Sequence, residues 1–246
     1  MAAQGDKYTY DGTFEGYLCA VLAALRSGKV PVSISDRRTA GFTDDAINVT
    51  TSFKDAQYLY HMISVKSSAE VQQMTADYFL TDSTGLEINL YKMIFCSLKY
   101  GARVAEDYKS ELMRGIQMAI RDLYREAQSL LSNIEFFRGE EASCAVINPH
   151  NLVLPLIRKP LLKREELDDL IVFDRRHCLM LGRKGANDML TDIRQISIKL
   201  PETGSEAYEI LWPAVKDAKF DVRFAGATSA CVGIPRDYEP LWSMAQ

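Results

Sequence analysis

The 246 residues carry 29 Lys and Arg against 33 Asp and Glu, a formal charge of −4. That balance excludes the general electrostatic grip on nucleic acid that an excess of cations provides, while leaving room for local basic patches. Cys19, Cys96, Cys144, Cys178 and Cys231 are single and widely spaced, which excludes a zinc ribbon or a thioredoxin-type pair and fits buried thiols in a reducing cytoplasm.

The N-terminus shows no basic stretch followed by an apolar run and a cleavage site. The apolar run Leu18–Leu25 is too short to span a bilayer, so the expectation is a cytoplasmic chain with no membrane partner. Tyr8 and Tyr10 alternate with polar residues like a half-buried strand. Asp11-Gly12 then supplies a turn and Thr13 a helix cap. Asp11 and Glu15 read as turn and helix-start residues. The helix runs from about Thr13 to Arg26 and is stopped by Gly28 and Pro31.

Val32–Ser35 and Ile47–Thr51 alternate like short strands around a polar turn at Asp44-Asp45. Three helices are predicted next, over Lys54–Val65, Ala69–Phe79 and Gly85–Tyr100. The longest amphipathic pattern covers Lys109–Leu131, with Leu112, Ile116, Ala119, Leu123, Ala127 and Leu130 on one face. Arg114, Arg121 and Arg125 line another face, but Glu111, Asp122 and Glu126 lie among them, which reads as a solvated surface rather than a phosphate ridge.

After Ser132 the pattern changes to strands at Ile134–Phe137, Cys144–Ile147, Leu170–Phe173, His177–Leu181 and Gln195–Leu200. An extended segment follows the loop at His150. A last helix is predicted over Ser205–Lys219, kinked or broken at Pro213. The expected fold class is α+β, a largely helical first half packed with a mostly antiparallel, strand-rich second half. It forms one domain over 1–246, with lobes 1–132 and 133–246.

No catalytic constellation, metal site or cofactor site stands out. Cys144 sits inside an apolar strand, away from a nucleophile's setting, although His150 is near in sequence. His177 and Cys178 would point to opposite faces of a strand. His61 reads as packed on its helix. The acid pairs Asp44-Asp45, Glu140-Glu141, Glu165-Glu166 and Asp168-Asp169 read as solvated surface. Gly182-Arg183-Lys184-Gly185 lacks the spacing of a phosphate loop and suits a hairpin.

The candidate phosphate contacts are four basic pairs, Arg158-Lys159, Lys163-Arg164, Arg175-Arg176 and Arg183-Lys184. Dispersed surface charge with local ion pairs is the simpler reading of them. A weaker enzyme alternative places Arg164, Asp174, Arg176 and His177 in one site formed only by the fold.

The segment Tyr10-Asp11-Gly12-Thr13-Phe14-Glu15-Gly16, followed by the apolar Leu18–Leu25, resembles the opening of a family of DNA-metabolism proteins of unknown mechanism. Members are encoded beside a DNA modification or repair protein of the radical-SAM class, and some are fused to a uracil-DNA glycosylase-like domain. The resemblance continues in Arg125-Glu126-Ala127, Pro149–Leu156, Ile171-Val172-Phe173-Asp174 with Arg175-Arg176, and Ile234–Tyr238. The chain departs from the pattern at Gln128, where the family has His, at Phe136, near which it has Arg, and at Pro160-Leu161, where it has His-Phe. It is thus similar to a divergent member. The resemblance implies an accessory protein in DNA metabolism, acting with a radical-SAM partner on DNA and non-catalytic itself. The alternatives are a nucleic-acid-processing enzyme and a direct nucleic-acid-binding module. No glycosylase loop and no cysteine triplet for an iron–sulfur cluster is found, so radical chemistry would belong to the partner.

Overall fold

Strand β1 (Lys7–Tyr10) buries Tyr8, Thr9 and Tyr10 in the computed structural model, which describes residues 5–40, 45–107, 109–164, 169–185, 187–193 and 199–217. The fold is mixed α+β. It divides into two compact units within one long helix, between Arg121 and Asp122.

In the first unit β1 leads through a turn into α1 (Phe14–Ser27), whose cap Thr13 accepts a hydrogen bond from the Gly16 N–H at 2.9 Å. Gly28 ends the helix in the left-handed region at φ 69°. Strands β2 (Ser33–Asp36) and β3 (Ala46–Asn48) both pair with β1 in parallel, in the order β2-β1-β3, with the short α2 (Arg37–Ala40) between them in sequence. The two alternating segments thus form strands that flank β1. The apolar pattern of β1, buried at Tyr8, Thr9 and Tyr10, makes it the central strand, and its neighbours bond to it instead of to each other.

The helices α3 (Phe53–Lys66), α4 (Ala69–Phe79) and α5 (Leu86–Tyr100) fall where the periodicity predicts. Their core includes Leu59, Ile63, Val71, Leu90 and Ile94. Phe14 and Tyr17 of α1 meet the Phe79 ring at 5.1 and 5.7 Å between centroids. The Tyr17 hydroxyl donates to the Glu87 carbonyl at 2.8 Å, so this fully buried phenol is satisfied. A 3₁₀ turn, Gly101–Val104, precedes α6 (Glu111–Asn133).

The second unit is built on a five-stranded sheet in the order β4-β5-β6-β7-β8. Its strands are β4 (Phe137–Arg138), β5 (Ser143–Ile147), β6 (Leu170–Asp174), β7 (Leu179–Lys184) and β8 (Asn187–Asp192). Only β5 and β6 pair in parallel. The segment between them is not extended as expected. It contains α7 (Leu154–Leu162), which packs on β7. Helix α8 (Gly204–Asp217) covers one sheet face, placing Ala207, Leu211, Trp212 and Val215 against Cys144, Ile171, Phe173 and Met180. It passes through Pro213 without ending there. The predicted strand Gln195–Leu200 and the resembling segment Ile234–Tyr238 lie largely or wholly outside the described residues.

Candidate functional site

Two places bring polar side chains together, one in each unit. In the first unit they gather at the C-terminal ends of the parallel strands, where the order reverses around β1 and open parallel sheets usually bind ligands. Asp11 follows β1. Its Oδ1 accepts hydrogen bonds from the Thr13 N–H at 3.0 Å and hydroxyl at 2.6 Å, while Oδ2 accepts from the Thr51 hydroxyl at 2.7 Å. One carboxylate thus ties the β1–α1 turn to the segment after β3.

The two glycines of the opening phrase make room for this arrangement. Gly12 has φ 80°, and a Cβ there would lie 1.9 Å from Arg38 Nη2. That nitrogen donates to the Gly12 carbonyl at 2.8 Å and to Asp36 Oδ2 at 2.7 Å. A Cβ on Gly16 would lie 2.1 Å from Asp11 Oδ1. Glycine is needed at 16 so that the carboxylate can lie against the helix.

Glu15 is the member of the phrase with no such architectural role. Its Oε2 is buried and has no hydrogen-bond partner among the described residues. Burial pushes its carboxyl up to about 7, its own backbone N–H opposes this, and the charge of Asp11 adds to it. At Asp11 burial also acts upward, but the hydrogen bonds from Thr13 and Thr51 and the Arg38 charge prevail and hold it below its ordinary value. Two neighbouring carboxyls are therefore driven apart, one ionised and one exchanging its proton near neutrality, a pattern suited to proton transfer or pH sensing. Sequence reading assigned Glu15 to the helix start. Nothing local in the sequence signals its burial.

In the second unit, the fully buried Asp174 ends β6. Its Oδ1 accepts from the His177 N–H at 3.0 Å, and its Oδ2 lies 2.7 Å from His177 Nδ1. Arg175, Arg176, His177 and Cys178 form the turn into β7, so His177 and Cys178 are not the strand residues expected, and Cys178 takes φ 55°. The Arg175 N–H donates to the Ile147 carbonyl at 2.9 Å, setting this turn beside the loop that follows β5.

That loop is gripped by Glu126 of α6. Oε1 accepts from the His150 N–H at 2.5 Å, and Oε2 accepts from the Asn151 N–H at 2.9 Å and side-chain amide at 2.8 Å. Three resembling segments, Arg125–Ala127, Pro149–Leu156 and Ile171–Arg176, thus converge.

The candidate cations divide into two groups. Arg158 bonds Asp188 at 2.7 Å through Nε and pairs with it through Nη2. Arg164 donates to the Leu131 carbonyl. Arg175 pairs with Glu202 at 2.9 Å, Arg183 donates to the Leu162 carbonyl at 2.7 Å, and Lys184 to the Lys216 carbonyl at 2.6 Å. Lys159, Lys163 and Arg176 are exposed. Of the four residues of the enzyme alternative, Asp174, Arg176 and His177 share one turn, while Arg164 is tied to the end of α6.

Cys144 is fully buried, and burial pushes its thiol up to about 12, which makes it inert as a nucleophile at neutral pH. His61 is exposed on α3, not packed as expected. Among the described residues no group of three or more His, Cys, Asp or Glu side chains is placed to hold a metal ion, and no helix is long and apolar enough to cross a membrane. Compared with family models, curated proteins and solved structures, the chain matches none.

Proposed function

We propose that this chain is an accessory protein in DNA metabolism that works beside a radical-SAM partner, docking it or positioning its substrate, and performs no chemistry itself. The resemblance of the opening phrase and of the later segments supports the pathway. One observation supports the accessory role. The carboxylates where the resembling segments converge, Glu126 and Asp174, are spent on holding backbone N–H groups and neighbouring side chains of two loops. They fix a loop surface instead of facing a substrate. Sedimentation of the purified chain mixed with a radical-SAM protein of the DNA modification or repair class tests the proposal. A complex at micromolar concentration supports it, and separate sedimentation of the two counts against it.

The Asp174–His177 pair favours a second reading, a nucleic-acid-processing enzyme. The carboxylate orients the ring through Nδ1, which leaves Nε2 to act as a base, the arrangement used wherever an acid orients a catalytic imidazole. The adjacent Arg176 would face phosphate. Turnover of DNA by the isolated chain, lost in His177→Gln, would support this reading. Absence of turnover with or without the partner would remove it.

A further inference from the structure

The first unit carries a cleft that neither functional reading uses. The loop between α4 and α5, the first turns of α5 and the first turns of α6 line it; it is open to solvent and has a volume of about 440 Å³, within the roughly 300–1,000 Å³ usual for small-molecule sites.

Its lining includes Gly115, an exposed residue inside α6 in ordinary helical backbone. Glycine weakens a helix relative to alanine. Here a Cβ would meet no atom within 4 Å. The backbone is open to solvent there, which leaves room for a ligand to lie across the helix. Gly12 and Gly16 differ in this respect, since each is required by a named side chain of the protein itself.

The lining is charge-balanced. Lys92 from α5 and Glu111 from α6 both border the cleft and are exposed. Among the described residues neither makes a side-chain hydrogen bond or ion pair, and they do not pair with each other. One cation and one anion left apart on one cleft match a ligand that carries both charges. A ligand of a single charge would meet one favourable and one unfavourable group. Asn89 adds an amide able to donate and accept, and the half-buried Leu112 supplies apolar surface near Gly115.

We infer that this cleft binds a free apolar α-amino acid. Lys92 receives its carboxylate and Glu111 its ammonium, and its side chain lies over Gly115 against Leu112. The site is independent of the proposed accessory role and would stand if that role failed.

Amide NMR titration of the full chain with L-leucine, L-methionine and L-phenylalanine at millimolar concentrations tests it. At least one should saturate, with shifts concentrated in residues 83–92 and 111–116. 4-Methylpentanoate and isoamylamine, each lacking one charge, should bind about tenfold more weakly than leucine. Lys92→Glu should weaken binding by about tenfold or more. Gly115→Ala should keep or raise the melting temperature, and Gly115→Gln should abolish binding while the circular dichroism spectrum is retained. The inference is overturned if none of the three amino acids saturates. It is equally overturned if binding survives both Gly115→Gln and Lys92→Glu, or if the singly charged analogues bind as well as leucine.

Discussion

Replacing Glu15 by Gln is the sharpest perturbation of the first unit, because the amide has the shape of the neutral carboxyl and cannot ionise. In the folded chain the carboxyl is pushed from its ordinary 4.5 up to about 7. An acid raised on folding holds its proton longer in the native state than in the unfolded one. Native protein therefore binds more protons between about pH 4.5 and 7, and stability falls as pH rises through that window, then levels off above it. At about 1.4 kcal/mol per pH unit of displacement the full effect would be about 3 kcal/mol. The side chain is partly open to water, whose screening reduces this to about 1–2 kcal/mol. Glu15→Gln should equal the parent at pH 4.5 and exceed it by about 1–2 kcal/mol at pH 8. Urea unfolding followed by circular dichroism at both pH values measures the difference, and other titrating groups cancel between the two proteins. Parallel stability profiles, or a Gln variant weaker than the parent at pH 8, would refute the assignment of Glu15 as the buried, unpartnered carboxyl.

Other outcomes follow from the same contacts. Gly16→Ala places a methyl on Asp11 Oδ1, and losing that carboxylate's bonds to Thr13 and Thr51 should cost about 2 kcal/mol, more than the gain of about 1 kcal/mol in helix propensity. Thermal unfolding reads the net loss. Glu126→Ala removes the acceptor for the N–H groups of His150 and Asn151, so stability should fall by about 2–3 kcal/mol and hydrogen exchange should quicken at those two amides. If DNA is gripped directly through Lys159, Lys163 and Arg176, their joint reversal to Glu should reduce the slope of log affinity against log salt by about 3. An unchanged slope in filter or anisotropy titrations would dismiss that contact surface.

What the sequence makes legible here is what short-range rules control. The cap at Thr13, the stop at Gly28 and the 3.6-residue periodicity place α1, α3, α4 and α5 within a residue or two of their observed ends. Helix α7 is hidden by Pro155 and Pro160, yet Pro155 falls in the first turn, where its missing N–H costs nothing. Strand β8 reads as Asn-Asp-Met-Leu-Thr-Asp without clean alternation and exists by pairing with β7. The parallel pairing of β2 and β3 with β1 depends on contacts distant in sequence, which alternation alone cannot assign. The same holds for the candidate sites. Asp174 and His177 are close enough in sequence to be paired on paper, but the grip of Glu126 on the His150 loop and the burial of Glu15 arise only when remote segments meet.

The accessory role makes its most direct claim about His177. The assay is the turnover on DNA of the proposed radical-SAM partner, measured alone, with the chain, and with a His177→Gln chain shown to be folded and to bind that partner. If the chain positions without reacting, turnover should rise on adding the parent chain and rise equally with the variant. A folded, partner-bound His177→Gln chain that fails to support turnover would contradict the account and make the Asp174–His177 pair catalytic.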